Sequence, residues 1–175
     1  SVRSGHGSAN LSKAIQVSSD TFFYRLGFEM GIEKIRPYLA EFDFGQQSGI
    51  DLPNEYRGVL PSPEWKEKRF SKLPPERRRW NIAEMVPISI GQGYNAYTPL
   101  QMAHATATLA NNGVVYRPHL VKELLDHNKQ QITLIDPKPQ RVLPFKQSNF
   151  NYGKAAMAKV LQPGGTARKI GVGLK

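Results

Sequence analysis

Ser18, Ser19 and Asp20, in the stretch QVSSDTFFY at 16–24, set two hydroxyls and a carboxylate inside an apolar run. Around them Leu11, Ala14, Ile15, Phe22 and Leu26 recur at spacings of three, four and seven, the pattern of a helix with one buried face, and Ser18 falls on that face. A buried polar group left without a partner costs about 1–3 kcal/mol, so the trio needs something to bind. Ser and Asp side chains accept hydrogen bonds from the free N–H groups of a helix's first turn, which would let the trio end one helix and cap the next. Other chemistry is hard to find. PISIG at 87–91 has the outline of a Gly-x-Ser-x-Gly nucleophile elbow, but Pro87 replaces the first glycine, so Ser89 reads as structural. His6, His104, His119 and His127 show no pair at metal-ligand spacing, and there is no cysteine. His104 reads as a packed or surface side chain. Gly91-Gln92-Gly93 is too short to cradle a phosphate and reads as a tight structural turn, glycine allowing backbone angles that other residues resist.

The elements that must position these residues can be read from their start and stop signals. A small, polar segment leads to a helix from about Leu11, and a second helix runs from about Thr21 to Met30, with Gly31 as its stop. IEKIRPYLAEFDFG then gives a third, short helix, in which Pro37 fits only near the beginning. Between Gly45 and Arg79 stand five prolines and three glycines, which predicts an excursion with at most short strands. VPISI at 86–90 reads as a short β-branched strand running into the Gly91–Gly93 turn. A helix comes next, with Thr98 as N-cap, Pro99 in its first position and Asn112-Gly113 as its stop. VVYRPHLVKELL and QQITLID read as two strands joined at 126–129, and a last helix spans about Ser148–Leu161.

A chain of 175 residues can hold one domain or a large part of one, and the 39% hydrophobic and 22% charged content is ordinary for a globular protein. The net charge of +10 would suit an anionic partner. Its densest cluster, 66–79, is broken by Pro74 and Pro75 and reads as a solvated loop, so nucleic acid is not an expected partner. The bland alternative is a non-catalytic module that holds an anionic partner on this basic surface.

Three stretches carry a resemblance. SSDTFFYRLGFEMGIEKI, GIDLPNE and IGQGYNAYTPLQMAHATATLANNG, in that order, resemble the transpeptidase domain of class B penicillin-binding proteins. In that group Ser-x-Asp is a variant of the Ser-x-Asn element that stands beside a Ser-x-x-Lys nucleophile and a Lys-Thr-Gly strand. The aspartate variant, SGHG and EWKEKRF resemble the penicillin-binding protein 2 branch, which serves side-wall elongation. The resemblance implies a mixed α/β fold with an antiparallel sheet flanked by helices, 1–175 forming part of it. It also implies a serine D,D-transpeptidase that cross-links peptidoglycan stem peptides ending in D-alanyl-D-alanine and is acylated by β-lactam antibiotics. Its expected setting is a periplasmic domain anchored at the inner membrane, working with a polysaccharide polymerase and shape-determining proteins. By the same resemblance Ser18 and Asp20 are the catalytic candidates and line a cleft. None of the eleven serines is followed three places later by lysine, and KIG at 169–171 lacks the residues that would make it the Lys-Thr-Gly strand. Nucleophile and strand are therefore expected outside this segment, which by itself is expected to be inactive. Some relatives place zinc near the equivalent of His6, using a cysteine where this chain has Ser19, so His6 is a weak metal candidate and no cofactor is expected.

Overall fold

The computed structural model describes residues 7–173, and His6 lies outside them. Helix α1 (Leu11–Gln16) starts where Asn10 accepts a hydrogen bond from the Lys13 amide at 2.9 Å, and it buries Ala14 completely. Helix α2 (Asp20–Glu41) is two helical segments joined at Gly31, whose φ of 70° and ψ of 167° are open to glycine and to almost nothing else. The stop expected at Gly31 is thus a kink. Pro37 sits well inside the second segment, where it forfeits one helical hydrogen bond.

Two expectations fail in the middle of the chain. The excursion between 45 and 79 contains helix α3 (Pro63–Arg69) and a single turn, α4 (Pro75–Arg78), rather than strands. Ser62 caps α3 by accepting from the Trp65 amide at 3.1 Å, Pro63 opens it, and basic side chains fill its last turn, so local start signals outweigh the density of breakers. The basic cluster is solvated as expected at Lys68, Arg69, Lys72, Arg77 and Arg79, with one exception. Lys66 is buried, its ammonium donating to the Glu84 carboxylate and, at 2.6 Å, to the Arg79 carbonyl. The segment expected as a strand at 86–90 is helical: a 3₁₀ turn, Ile82–Glu84, continues into α5 (Met85–Ile88). Asn81 and Glu84 form a reciprocal capping box there, and Met85 and Ile88, three apart, bury together against Ile32.

Helix α6 (Pro99–Ala110) has the expected ends: Thr98 and Gln101 make a capping box, and Asn112 and Gly113 take φ of 59° and 85°. The stretch 114–125, expected as one long strand, is two, because Pro118 cannot donate to a ladder. Strand β1 (Val114–Tyr116) pairs antiparallel with β4 (Pro139–Val142), and β2 (Glu123–Leu125) pairs antiparallel with β3 (Gln131–Leu134) across the turn at 126–130. Among the described residues the sheet is thus two separate antiparallel pairs. Helix α7 (Gln147–Ala158) runs on through a 3₁₀ turn, Lys159–Leu161, and residues 169–171 lie in a short helix, α8 (Arg168–Gly171), not in a strand.

Two cores hold these elements. Ile32, Met85 and Ile88 pack with Ile35, Trp80 and Tyr94, fixing α2 on α5. Their approach is close enough that a Cβ on Gly27 would overlap the Ser89 hydroxyl, which itself donates to the Met85 carbonyl. Val115, Leu143 and Phe150 pack with Phe42, Leu109 and Phe145, joining β1 and α7 to α6 and the end of α2.

Candidate active site

The trio forms the turn between α1 and α2. Because α1 ends at Gln16, the helical periodicity that puts Ser18 on a buried face stops short of it, and both Ser18 and Asp20 are exposed. The buried helix face expected for Ser18 is therefore not where this chain puts it. Ser18 takes φ = 51°, a left-handed conformation unusual for a residue other than glycine. Its amide donates to the Ile15 carbonyl at 3.2 Å, and the Ser19 amide donates to the Ala14 carbonyl at 2.9 Å, so the turn is locked on the end of α1.

Capping does not account for the side chains. Ser19 holds the N-cap position of α2, yet its side chain makes no capping hydrogen bond; its hydroxyl pairs with that of Thr21 at 3.3 Å. Asp20 is the first helical residue, where its charge favours the positive end of the helix dipole. The Ser18 hydroxyl pairs with the Thr166 hydroxyl at 2.9 Å. Ser18 and Asp20 therefore leave one turn with a hydroxyl and a carboxylate open to solvent. A groove of about 450 Å³ beside it is lined by Ser8, Ser19, Thr21, Phe22, Arg25 and Glu29, but not by Ser18 or Asp20.

The other sequence candidates sit apart from this turn. Gly91 and Gly93 take φ of 77° and 67°, and the amides of Gly91 and Gln92 donate to the Ile88 and Pro87 carbonyls at 3.0 and 2.9 Å. His104 is packed: it is buried in α6, neither ring nitrogen has a hydrogen-bond partner, and Nε2 stands 4.0 Å from an Asp43 oxygen. Among the described residues no three His, Cys, Asp or Glu side chains converge as a metal site would require.

The stretch GIDLPNE is a scaffold. Glu55 accepts from the Ser48 amide and hydroxyl, both at 2.7 Å, and from the Gly49 amide at 3.0 Å. Desolvation pushes its carboxyl up, but those hydrogen bonds from Ser48 and Gly49, with the nearby His104, hold it below its ordinary value. Asp51 accepts from the Leu120 amide at 2.9 Å, which despite slight desolvation lowers its pKa and ties the loop to 117–121, where Arg117 also donates to the Gly49 carbonyl. Gln101, buried in α6, donates to the carbonyls of Gln46 and Arg57 at 2.7 and 2.9 Å. The Tyr97 hydroxyl, desolvated, has its pKa pushed up to about 12.

Residues 1–175 match the penicillin binding protein transpeptidase domain over their whole length. The chain belongs to that family. It is 36% identical over 166 residues to the peptidoglycan D,D-transpeptidase MrdA of Escherichia coli strain K12, covering 94% of this chain and 25% of that protein. The MrdA of Acinetobacter baumannii is 38% identical over 170 residues, 96% of this chain and 24% of that one. The chain therefore spans about a quarter of the curated relatives it matches. Among solved structures, Pseudomonas aeruginosa PBP2 in complex with WCK 5153 superposes with a TM-score of 0.75 at 37% identity, over 94% of this chain and 36% of that one. The complex between PBP2 and MreC from Helicobacter pylori gives 0.75 at 35% identity, over 94% and 28%. The fold is that of the penicillin-binding transpeptidases, and the penicillin-binding protein 2 branch is where its likeness lies. Thr166, absent from the sequence candidates, is the partner of the Ser18 hydroxyl. The glycine pair before it is the only signal in the sequence, and it marks a tight turn but names no partner.

Proposed function

We propose that this chain forms part of a peptidoglycan D,D-transpeptidase of the penicillin-binding protein 2 type, within a domain whose Ser-x-x-Lys nucleophile and Lys-Thr-Gly strand are supplied by sequence outside these 175 residues. The observation that carries the reading is the match over 94–96% of the chain to relatives named as peptidoglycan D,D-transpeptidases. The Ser18–Asp20 turn, whose side chains do no capping, supports it.

In this reading the nucleophilic serine attacks the penultimate D-alanine carbonyl of a stem peptide and gives its proton to the lysine, which serves as base. Ser18 belongs to the same proton path: it accepts a proton from the lysine side and passes its own to the departing terminal D-alanine nitrogen, so no net charge builds on the hydroxyl. Asp20 holds the lysine and the substrate amide in place. The acyl-serine that remains is taken by an amine of a neighbouring strand, which restores the serine and makes the cross-link. β-Lactams enter by the same acylation step. The enzyme works in the periplasm, anchored at the inner membrane, with a polysaccharide polymerase and shape-determining proteins as partners; that a Helicobacter pylori relative is solved with MreC supports the last.

Fluorescent penicillin tests this reading. The full-length protein should become covalently labelled, and the 175-residue chain alone should not, because none of its serines has lysine three places later. A stoichiometric adduct on the isolated chain, located by mass spectrometry, or an unlabelled full-length protein would contradict it.

A further inference from the structure

We propose that Thr166 is a positioning residue that aims the Ser18 hydroxyl, an inference that rests on the transpeptidase reading above. The two hydroxyl oxygens are 2.9 Å apart although 148 positions separate them in the chain. This pairing is one of three ties between the same two segments. The Thr166 amide donates to the Gln16 carbonyl at 3.2 Å, and the Gln16 side chain returns a hydrogen bond to the Pro163 carbonyl at 3.2 Å. The turn that carries Thr166 has little room to adjust. Gly164 takes φ = 86°, any Cβ on Gly165 would overlap the Val160 carbonyl, and the Ala167 amide donates to that carbonyl at 3.0 Å.

A serine hydroxyl has one proton, two lone pairs and a nearly free rotor, so a proton relay needs something to set its direction. Thr166 is suited to this because its β-branch restricts χ1. In the proposed role Thr166 is the donor: it occupies one lone pair of Ser18 Oγ and turns the Ser18 proton away from itself, toward solvent, where both residues are exposed and a substrate amine can approach. The left-handed backbone of Ser18 presents the side chain to this partner, and a sparsely populated conformation persists where surrounding ties hold it.

The test uses acylation of the full-length enzyme by a chromogenic or fluorescent penicillin. Thr166→Val keeps the shape and removes the hydroxyl; it should slow the acylation step about tenfold, the worth of one hydrogen bond, with the affinity of the initial complex unchanged. Thr166→Ser, which keeps the hydroxyl but not the β-branch, should restore most of the rate. Because Thr166 acts only through Ser18, the double variant Ser18→Ala with Thr166→Val should react no more slowly than Ser18→Ala alone. A Thr166→Val enzyme at the wild-type rate beside a slowed Ser18→Ala, or losses that multiply in the double variant, would overturn the proposal while leaving the transpeptidase reading intact. A Ser18→Ala enzyme at the wild-type rate would instead remove Ser18 from the mechanism, and Thr166 with it. If Thr166→Val does not fold, Thr166→Ala against Thr166→Ser gives the same comparison.

Discussion

Glu55 shows what single residues do in this chain. One carboxylate closes the loop 48–55 by accepting three hydrogen bonds from Ser48 and Gly49, and it stays ionised more readily than an ordinary glutamate. Because its folded pKa lies below the unfolded value of 4.5, its contribution to stability is complete above that value and is lost as pH falls through the lower, folded pKa. Glu55→Gln should therefore destabilise the protein at neutral pH, by up to about 1 kcal/mol once solvent screening is allowed for, and by progressively less in acid, as measured by urea unfolding across pH. A loss that grows toward acid would mean that Glu55 is not the ionised acceptor described. In the sequence GIDLPNE shows a family likeness and nothing of its bonds, since Glu55 and Ser48 meet only once Gly49 and Asn54 adopt positive φ.

Elements are legible in the sequence where start and stop signals agree with each other. Thr98, Pro99 and Asn112-Gly113 bound α6 as expected, and 126–130 turns the β2–β3 hairpin. The pattern misleads at α3, where the count of prolines conceals a Ser62-Pro63 start, and at α5, whose four residues are too few to display a helical period. The β1–β4 pairing is hidden for a different reason: its partners are separated by the whole hairpin, and nothing local announces such register. Helix α3 is tied to Glu84 and the Arg79 carbonyl by Lys66, a residue whose sequence context suggests only surface charge. Lys66 and Glu84 have side chains only 5% and 19% exposed, so removing the cation strands a poorly solvated carboxylate. Lys66→Met should cost about 3 kcal/mol in chemical unfolding of the full-length protein, and Lys66→Met with Glu84→Gln should recover most of it. Equal losses in single and double variants would show that the pair is not coupled.

At the scale of the molecule, the family and fold are readable because three long stretches keep their order, and the likeness extends over nearly all of the chain. The candidate site is readable only in part: Ser18 and Asp20 stand out by type and spacing, but their exposure and the partnership with Thr166 depend on how α1 ends and on where a segment 148 positions away returns. None of the described helices is long and apolar enough to cross a membrane. In the proposed reading the chain brings a scaffold and one catalytic turn to a larger transpeptidase, and that turn is the claim to test. Stopped-flow acylation by penicillin, on full-length wild type and Ser18→Ala with thermal unfolding in parallel, addresses it most directly. The account predicts a rate lower by roughly 10² to 10⁴ at an unchanged melting temperature, as for a lost acid–base contribution. An unchanged acylation rate with a lowered melting temperature would contradict it, leaving the turn as a structural joint between two helices.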